Sequence, residues 1–358
     1  MKYPAASKII LTHLQGLRAA SVPLTLTTIR GLMIGQLQHL APEIFEERSP
    51  DGTQFHCSES FVKKFLQRSV GWSIRRSTRA GRKIPENVDE VLANAFLRIA
   101  YSVKDHDIPS PLVVNSDQGQ MEYAPGSSVT YAPKGSKQVT TLGAEDKRAI
   151  TMFLSVSNDG TLLPIQTIYK GLSSVSTPSD KAPSYAEAIA AGFLFEYSNT
   201  KTYWSTQATM QSFVNCILVP YLDAQKEKLG LPLDQCSIWL IDCWSVHRSE
   251  EFLNWMWDTH PYIIVIFVPA GCTGLFQPCD VGVQLPVKHS LKRSAHEDVV
   301  NEVLCQLEAG TPAEKVTIDT KIGIMRNRTV NWLWKAHKAV NKPDIIKKAR
   351  HSFNLTKN

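Results

Sequence analysis

The strongest constraint on the fold is a pair of apolar, β-prone runs separated by a helical pattern. Residues 237–241 (SIWLI) and 263–268 (IIVIFV) each have the length and composition of a buried strand. Between them, residues 250–259 place apolar side chains on one face at helical spacing. Because two strands joined through a helix run parallel in one sheet, this pattern predicts an α/β fold.

An aspartate follows each apolar run. Asp242 comes directly after the first, Asp280 comes after the turn that ends the second, and Asp117 follows the shorter run PLVVNS. A carboxylate at the end of a buried strand is held rigidly and is partly dehydrated, which favours binding of a hard divalent cation. One such aspartate is usually a turn or helix-capping residue. Three in one sheet favour a phosphoryl-transfer site with two Mg²⁺ (or Mn²⁺) ions, bridged by Asp117 and Asp242 and completed by Asp280.

The rest of the central region predicts the remainder of this sheet. Residues 112–115, 137–143, 148–157 and 162–169 are β-prone, and turn residues at 143–146 and 158–160 join the later ones as an antiparallel meander. Residues 172–203 are typical of loops, and 206–228 predict a helix. We therefore expect a mixed sheet, three antiparallel strands followed by parallel ones, flanked by helices.

The N-terminal region is predicted to be helical. Helices are expected at 24–47, from a cap at Ser58 onward, and at 87–102. In the second, apolar residues at positions 61, 65 and 66 leave the basic residues to face outward. Two helices around a polar loop are compatible with a helix-turn-helix unit, in which the second helix enters the major groove. Helical hairpins of other kinds have the same pattern.

Charge is distributed unevenly although the net charge is only +6. Only one acidic residue occurs between residues 55 and 85, whereas eight residues there are basic. The basic residues are Lys63, Lys64, Arg68, Arg75, Arg76, Arg79, Arg82 and Lys83. A second basic stretch covers 321–358. Two basic ends indicate contact with a polyanion, with two solvated helical faces as the alternative.

The cysteines and the apolar runs limit the class of protein. Seven cysteines are scattered without a CxxC pair, which is typical of reduced thiols. Cys243, Cys272, Cys279 and His289 match no usual zinc spacing. The longest uncharged runs are interrupted by Pro and Gly, and MKYPAASK lacks the apolar core of a secretory signal, so no membrane partner is expected.

Three motifs in order resemble one known family. IDCWSVH (241–247), FQPCD (276–280) with Val287-Lys288 downstream, and NSDQ (115–118) followed by 134–171 are similar to the acidic motifs and hairpin of the DDE superfamily endonuclease domain of pogo/Tigger-type transposases, to which centromere protein B is related. Residues 55–79 resemble the second half of that family's tandem helix-turn-helix DNA-binding region. Two departures are visible. Gly119 stands where Thr is frequent, and the N-terminal region has room for only one helix-turn-helix unit.

The resemblance implies an RNase H-like domain with catalytic, metal-binding Asp117, Asp242 and Asp280. It implies a shortened helix-turn-helix DNA-binding region at 1–105, the endonuclease domain at 106–310 and a basic helical extension at 311–358. Lys288 would hold a phosphate near the metals, or would be a plain surface lysine. His247 would be a group near the metals or a structural cap, and Trp244 a base-stacking or core residue.

The function implied is that of a nuclear, transposase-derived enzyme that cuts double-stranded DNA and transfers the strand. A homodimer on DNA is left open. The alternative is a domesticated or decayed copy that binds DNA without catalysis. A ribonuclease on the same fold is the third reading, which the N-terminal basic region disfavours.

Overall fold

The computed structural model describes residues 3–19, 22, 24–48, 52–74, 85, 87–123 and 148–351 of the chain. Two units are separated at the junction of Ile84 and Pro85. The expected strand at 137–143 and the turn at 143–146 lie outside the described residues. None of the helices in the described ranges combines the length and the apolar character that crossing a bilayer needs.

The first unit is helical. It comprises α1 (Pro4–Ala19), α2 (Leu26–Leu40), a 3₁₀ turn (Pro42–Phe45) and α3 (Glu59–Val70). Ser58 caps α3 by accepting a hydrogen bond from the backbone N–H of Phe61 at 3.1 Å, as predicted. The helix expected to reach residue 47 ends at Leu40, because Pro42 disfavours helical geometry in the residue before it. On α3 Phe61 is 36% exposed, and the fully buried side chain is that of Val62.

The second unit is built on one six-stranded sheet. Its strands are β1 (Val113–Glu122), β2 (Ala149–Ser157), β3 (Gln166–Tyr169), β4 (Leu194–Tyr197), β5 (Ser237–Ile241) and β6 (Ile263–Phe267), in the spatial order β4-β3-β2-β1-β5-β6. β1, β2 and β3 are antiparallel neighbours, and β5 and β6 run parallel to β1. This is the predicted RNase H-like arrangement.

Two strands differ from the prediction. β1 continues to Glu122 instead of ending at residue 115, because β2 pairs with it along its whole length and is buried throughout. β4 lies in the stretch expected to be a loop, where it adds to β3 as a short parallel edge strand. Asp117 is therefore inside β1 and not beyond its end.

Helices cover both faces of the sheet. One face carries α4 (Val88–Asp105), the helix α6 (Gln207–Phe213) continued through a π-helical turn into α7 (Val219–Leu229), and α8 (Glu250–Thr259), which has the predicted bounds. The other carries α10 (Gln284–Glu308), α11 (Ile322–Val340) and α12 (Pro343–His351). The two short helices are α5 (Tyr185–Ala190) and α9 (Thr273–Phe276).

Both ends of the second unit extend past the limits expected from the sequence for the sheet domain. The apolar side of α4, with Leu92 buried, packs in the second unit's core although the helix was expected in the N-terminal domain. Trp332, Leu333 and Val340 of α11 are buried in the same core cluster as the side chains of β2, so α11, expected in the C-terminal extension, belongs to the core of the second unit. The basic residues of 321–358 make the apolar face of α11 hard to recognise in the sequence, whereas α4 is mostly apolar and its packing against the following region is expected.

Candidate active site

Asp117 and Asp242 are neighbours across two parallel strands. β1 and β5 pair with Asn115 opposite Leu240, and the same register carried on by two residues sets Asp117 opposite Asp242. Residues two apart on a strand share one face, and adjacent strands lie about 4.8 Å apart. The register therefore brings Asp117 and Asp242 to the same edge of the sheet, at the point where β5 ends and β1 continues.

Asp280 is brought to the same edge by hydrogen bonds from its own segment to β1. The amide of Gln277 donates to the carbonyl of Ser116 at 3.1 Å, and the backbone N–H of Cys279 donates to Oδ1 of Asn115 at 2.9 Å. Asn115 in turn donates to the carbonyl of Leu240 on β5 at 3.0 Å. Asp280 follows in a π-helical turn, Cys279–Val283, which leads into α10, and its side chain is exposed.

The carboxylates of Asp280 and Asp242 both act electrostatically on that of Asp117. Burial, together with the charges of Asp280 and Asp242, raises the pKa of Asp117 from 3.8 to about 7 against the lowering effect of hydrogen bonds from Gln118 and Gln284. Burial also raises the pKa of Asp242, opposed by the backbone N–H of Cys243 at 2.7 Å. Asp117 therefore keeps its proton to a higher pH than an ordinary aspartate, chiefly because its side chain is buried.

His247 supports the backbone of Asp242. Its ring is 2% exposed and packs among Phe153, Trp239 and Phe252. Burial lowers the pKa of His247 to about 4, so at neutral pH its Nδ1–H donates to the carbonyl of Asp242 at 3.1 Å. Nε2 has no partner among the described residues. The role that the contacts show is structural, since His247 holds the chain where β5 ends.

Trp244 and Trp239 pack around the same turn. Trp244 meets the ring of His247 edge-on at 5.5 Å between centroids, which is a packing contact. Trp239 donates its indole N–H to Oγ of Ser116 at 2.8 Å, next to Asp117. The strand that carries Asp117 is therefore tied to β5 by a buried side-chain hydrogen bond as well as by its ladder.

Gln284 is a site residue that sequence reasoning missed. It is the first residue of α10, is 7% exposed, and its amide Nε2 donates to Oδ2 of Asp117. Its Oε1 accepts from Nζ of Lys288 at 2.8 Å. The only local signal is its spacing, four residues after Asp280 and four before Lys288, which places the three on successive helical turns.

The donor chemistry of this site fits a hard cation. Three aspartates supply only oxygen, the donor that Mg²⁺ and Mn²⁺ prefer. Across the described part of the chain, no three His, Cys, Asp or Glu side chains are grouped closely enough to hold an ion among themselves. All seven cysteines are free thiols. Any cation here would therefore complete its coordination with water or substrate oxygens, as Mg²⁺ usually does.

The predicted DNA-binding residues fall into two sets. Lys63, Lys64 and Arg68 are exposed on α3, as expected. Lys288 is exposed on α10 and contacts Gln284. The other predicted basic residues lie outside the described residues: Arg75, Arg76, Arg79, Arg82 and Lys83.

The chain was compared with protein families, curated proteins and solved structures. The family described as DDE superfamily endonuclease matches residues 147–349, more than half of the chain, including Asp242 and Asp280. The search of curated proteins found no match. Asp117 lies upstream of the family match, and its place in the site follows from the register of β1.

Three of the similar solved structures are Mos1 transposase complexes. The paired-end complex with the left transposon end is 13% identical, with a TM-score of 0.43, over 96% of this chain and 78% of that chain. The Strand Transfer Complex is 12% identical, with a TM-score of 0.45, over 96% and 74%. The mariner paired end complex with Mn is 12% identical, with a TM-score of 0.43, over 92% and 78%.

Proposed function

Since the chain belongs to the DDE superfamily of endonucleases, we propose that it is a transposase-derived enzyme that cleaves DNA with two Mg²⁺ or Mn²⁺ ions. The proposal is supported by the register that sets Asp117 opposite Asp242 and by the hydrogen bonds that tie the segment before Asp280 to β1. Carboxylates held close together destabilise the folded protein because their negative charges repel. A bound cation offsets this repulsion, so such an arrangement favours a metal-binding role.

The places of the three aspartates in the fold indicate how they would act together. Asp117 and Asp242, set opposite each other where β5 ends, and Asp280, on a separate segment, would together hold the ions. When bound, the cations supply positive charge that stabilises the attacking and leaving oxygens at phosphorus. Asp280 is exposed whereas the other two are half-buried, so the site is open to substrate on the Asp280 side.

The proposed substrate is a phosphodiester bond of DNA. A water oxygen attacks phosphorus, the bond from phosphorus to the 3′ oxygen breaks, and that oxygen leaves as a free 3′-OH opposite a 5′-phosphate. In strand transfer the 3′-OH attacks a target phosphodiester, and the target's own 3′ oxygen is the leaving group. Both steps are in-line displacements at phosphorus, so one set of carboxylates serves both.

Double-stranded DNA is the proposed partner. The exposed basic residues of α3 would contact phosphates, and the chain's other basic residues would add to that attraction. A helix-turn-helix docking mode, descent from pogo/Tigger-type elements, a nuclear location and a homodimer on DNA belong to the same proposal. They follow from the motif resemblance, including the Phe276-Gln277-Pro278-Cys279-Asp280 segment.

The test is Mg²⁺-dependent nicking of supercoiled plasmid by the purified chain. Wild type should nick, Asp242→Asn should not, and Asp258→Asn, an exposed aspartate of α8, should nick like wild type. A salt-dependent gel shift with no metal-dependent nicking in any variant would refute catalysis and support the domesticated, DNA-binding alternative. Cleavage of RNA–DNA hybrids in preference to duplex DNA would instead support the ribonuclease reading.

A further inference from the structure

Gln284 connects an exposed lysine to a catalytic carboxylate. Its amide uses both ends: Nε2 donates to Oδ2 of Asp117 and Oε1 accepts from Nζ of Lys288 at 2.8 Å. The other carboxylate oxygen, Oδ1, accepts from the backbone N–H of Gln118 at 2.8 Å. Both oxygens of Asp117 are therefore held by one donor each, and each keeps a lone pair for another partner.

The close approach of Gln284 depends on Gly119. Gly119 lies two residues after Asp117 on β1, on the same face of the sheet. A Cβ added there would stand 3.1 Å from Oε1 and 3.3 Å from Cδ of Gln284. The amide of Gln284 thus lies close to β1 at Gly119, and an alanine at 119 would displace it by a few tenths of an ångström.

We propose that Gln284 is the positioning residue for Asp117, with Lys288 orienting its amide and Gly119 providing its room. The amide prevents the carboxylate from rotating, so both oxygens present their free lone pairs in a fixed direction before a cation arrives. An amide N–H cannot itself bind a cation, so Gln284 acts only through Asp117. The inference rests on the proposed function and identifies what preorganises its central carboxylate.

The same geometry assigns Lys288 a role different from a simple phosphate contact. Its ammonium is directed to Gln284 and fixes which end of the amide faces Asp117. Without that contact, the oxygen of Gln284 could turn toward the carboxylate and repel it. Loss of Lys288 should therefore weaken cation binding even when no DNA is present.

The test measures Mn²⁺ affinity of the full chain without DNA, by the free-Mn²⁺ signal in electron paramagnetic resonance. Gln284→Leu keeps most of the side-chain volume but removes the donor, and should weaken Mn²⁺ binding by about 10-fold or more. Gly119→Ala keeps the amide but displaces it, and should weaken binding in the same direction by less. Lys288→Met should also weaken binding by less than Gln284→Leu does.

Gln306→Leu is the matched control. Gln306 is on the same helix and also uses both ends of its amide, donating to the carbonyls of Glu302 and Thr317 and accepting from the backbone N–H of Thr317. It lies 22 residues further along α10, about 33 Å at 1.5 Å per residue. Gln306→Leu should unfold at lower urea concentration yet bind Mn²⁺ like wild type.

The outcomes separate this inference from the function on which it rests. If Asp117→Asn binds Mn²⁺ like wild type, the proposed metal site is refuted and the role of Gln284 falls with it. If Asp117→Asn loses Mn²⁺ binding while Gln284→Leu and Gly119→Ala keep wild-type affinity, the positioning role alone is overturned. Should Gln284→Leu fail to fold, Gly119→Ala decides. A Lys288→Met variant that loses DNA affinity at unchanged Mn²⁺ affinity would limit Lys288 to phosphate contact.

Discussion

Replacing Asp117 by asparagine should change how the stability of the metal-free protein depends on pH. In the folded protein the pKa of Asp117 is raised from 3.8 to about 7, while in the unfolded chain it returns to its ordinary value. Below pH 3.8 the group is protonated in both states and costs no stability. Between these values the folded state binds the proton more tightly, so stability falls as pH rises, and above pH 7 the loss is complete.

The size of this effect follows from the pKa difference. A difference of about 3 corresponds to an upper limit of about 4 kcal/mol. Solvent screening at this half-buried position lowers the expected figure to about 2–3 kcal/mol. The asparagine of the variant does not ionise, although the variant loses about 1 kcal/mol because one of the two donors around this side chain is left without an acceptor. At pH 8 in EDTA the variant should therefore be the more stable protein, and at pH 4 the less stable one.

Urea unfolding followed by tryptophan fluorescence measures this directly. Of the eight tryptophans only Trp72 lies before residue 85, so the signal reports the unit that contains Asp117. Asp258→Asn, which removes an exposed aspartate from α8, is the control and should follow wild type at every pH. Saturating Mn²⁺ at pH 8 should stabilise wild type and leave Asp117→Asn unchanged. Parallel pH curves for wild type and Asp117→Asn would refute the reasoning, because they would mean that Asp117 is neither buried nor close to other carboxylates.

Three further predictions test other contacts. His247→Asn keeps a donor near the place of Nδ1 but does not titrate, and in urea unfolding it should be less stable than wild type at pH 7. It should also lack the fall of up to about 3 kcal/mol in the free energy of unfolding that wild type shows as pH falls from 6.5 to 4. Trp332→Phe leaves Oδ2 of Asp298 without its indole donor at 2.7 Å and should cost about 1–3 kcal/mol in the same assay; an unchanged midpoint would contradict the contact. Lys63, Lys64 and Arg68 of α3 can each be replaced by alanine, and DNA binding can be measured by fluorescence anisotropy with duplex DNA. The slope of log affinity against log salt concentration should become shallower by about 1 for each phosphate contact removed. An unchanged slope would exclude these residues from the interface.

The features predictable from the sequence are those set by local patterns. Residues 237–241 and 263–267 are continuous apolar runs, and such runs flanking a capped amphipathic helix have few alternatives to parallel strands. Ser249 and Ser58 each precede a helix and cap it through their hydroxyl groups. Because capping depends on a residue and its near neighbours, both helix starts are visible in the chain.

Features that depend on distant partners could not be predicted. The second half of β1 is polar, with Asp117, Gln118 and Gln120, and it is a strand only because β2 pairs with it. β4 has only four residues, too few to establish a period of two, although Phe195 and Tyr197 are of types that favour strands. Gln284 reaches Asp117 across 167 residues of sequence, and nothing in its neighbourhood indicates which carboxylate it meets.

The central claim is that Asp117, Asp242 and Asp280 form one cation site, and a crystal structure of the chain soaked in Mn²⁺ tests it most directly. Anomalous scattering should place two ions about 4 Å apart with oxygens of Asp117 and Asp242 on both and an oxygen of Asp280 on one. No anomalous peak near these residues, or carboxyl groups more than about 10 Å apart, would contradict the claim, because ions at that spacing cannot be held by groups so widely separated.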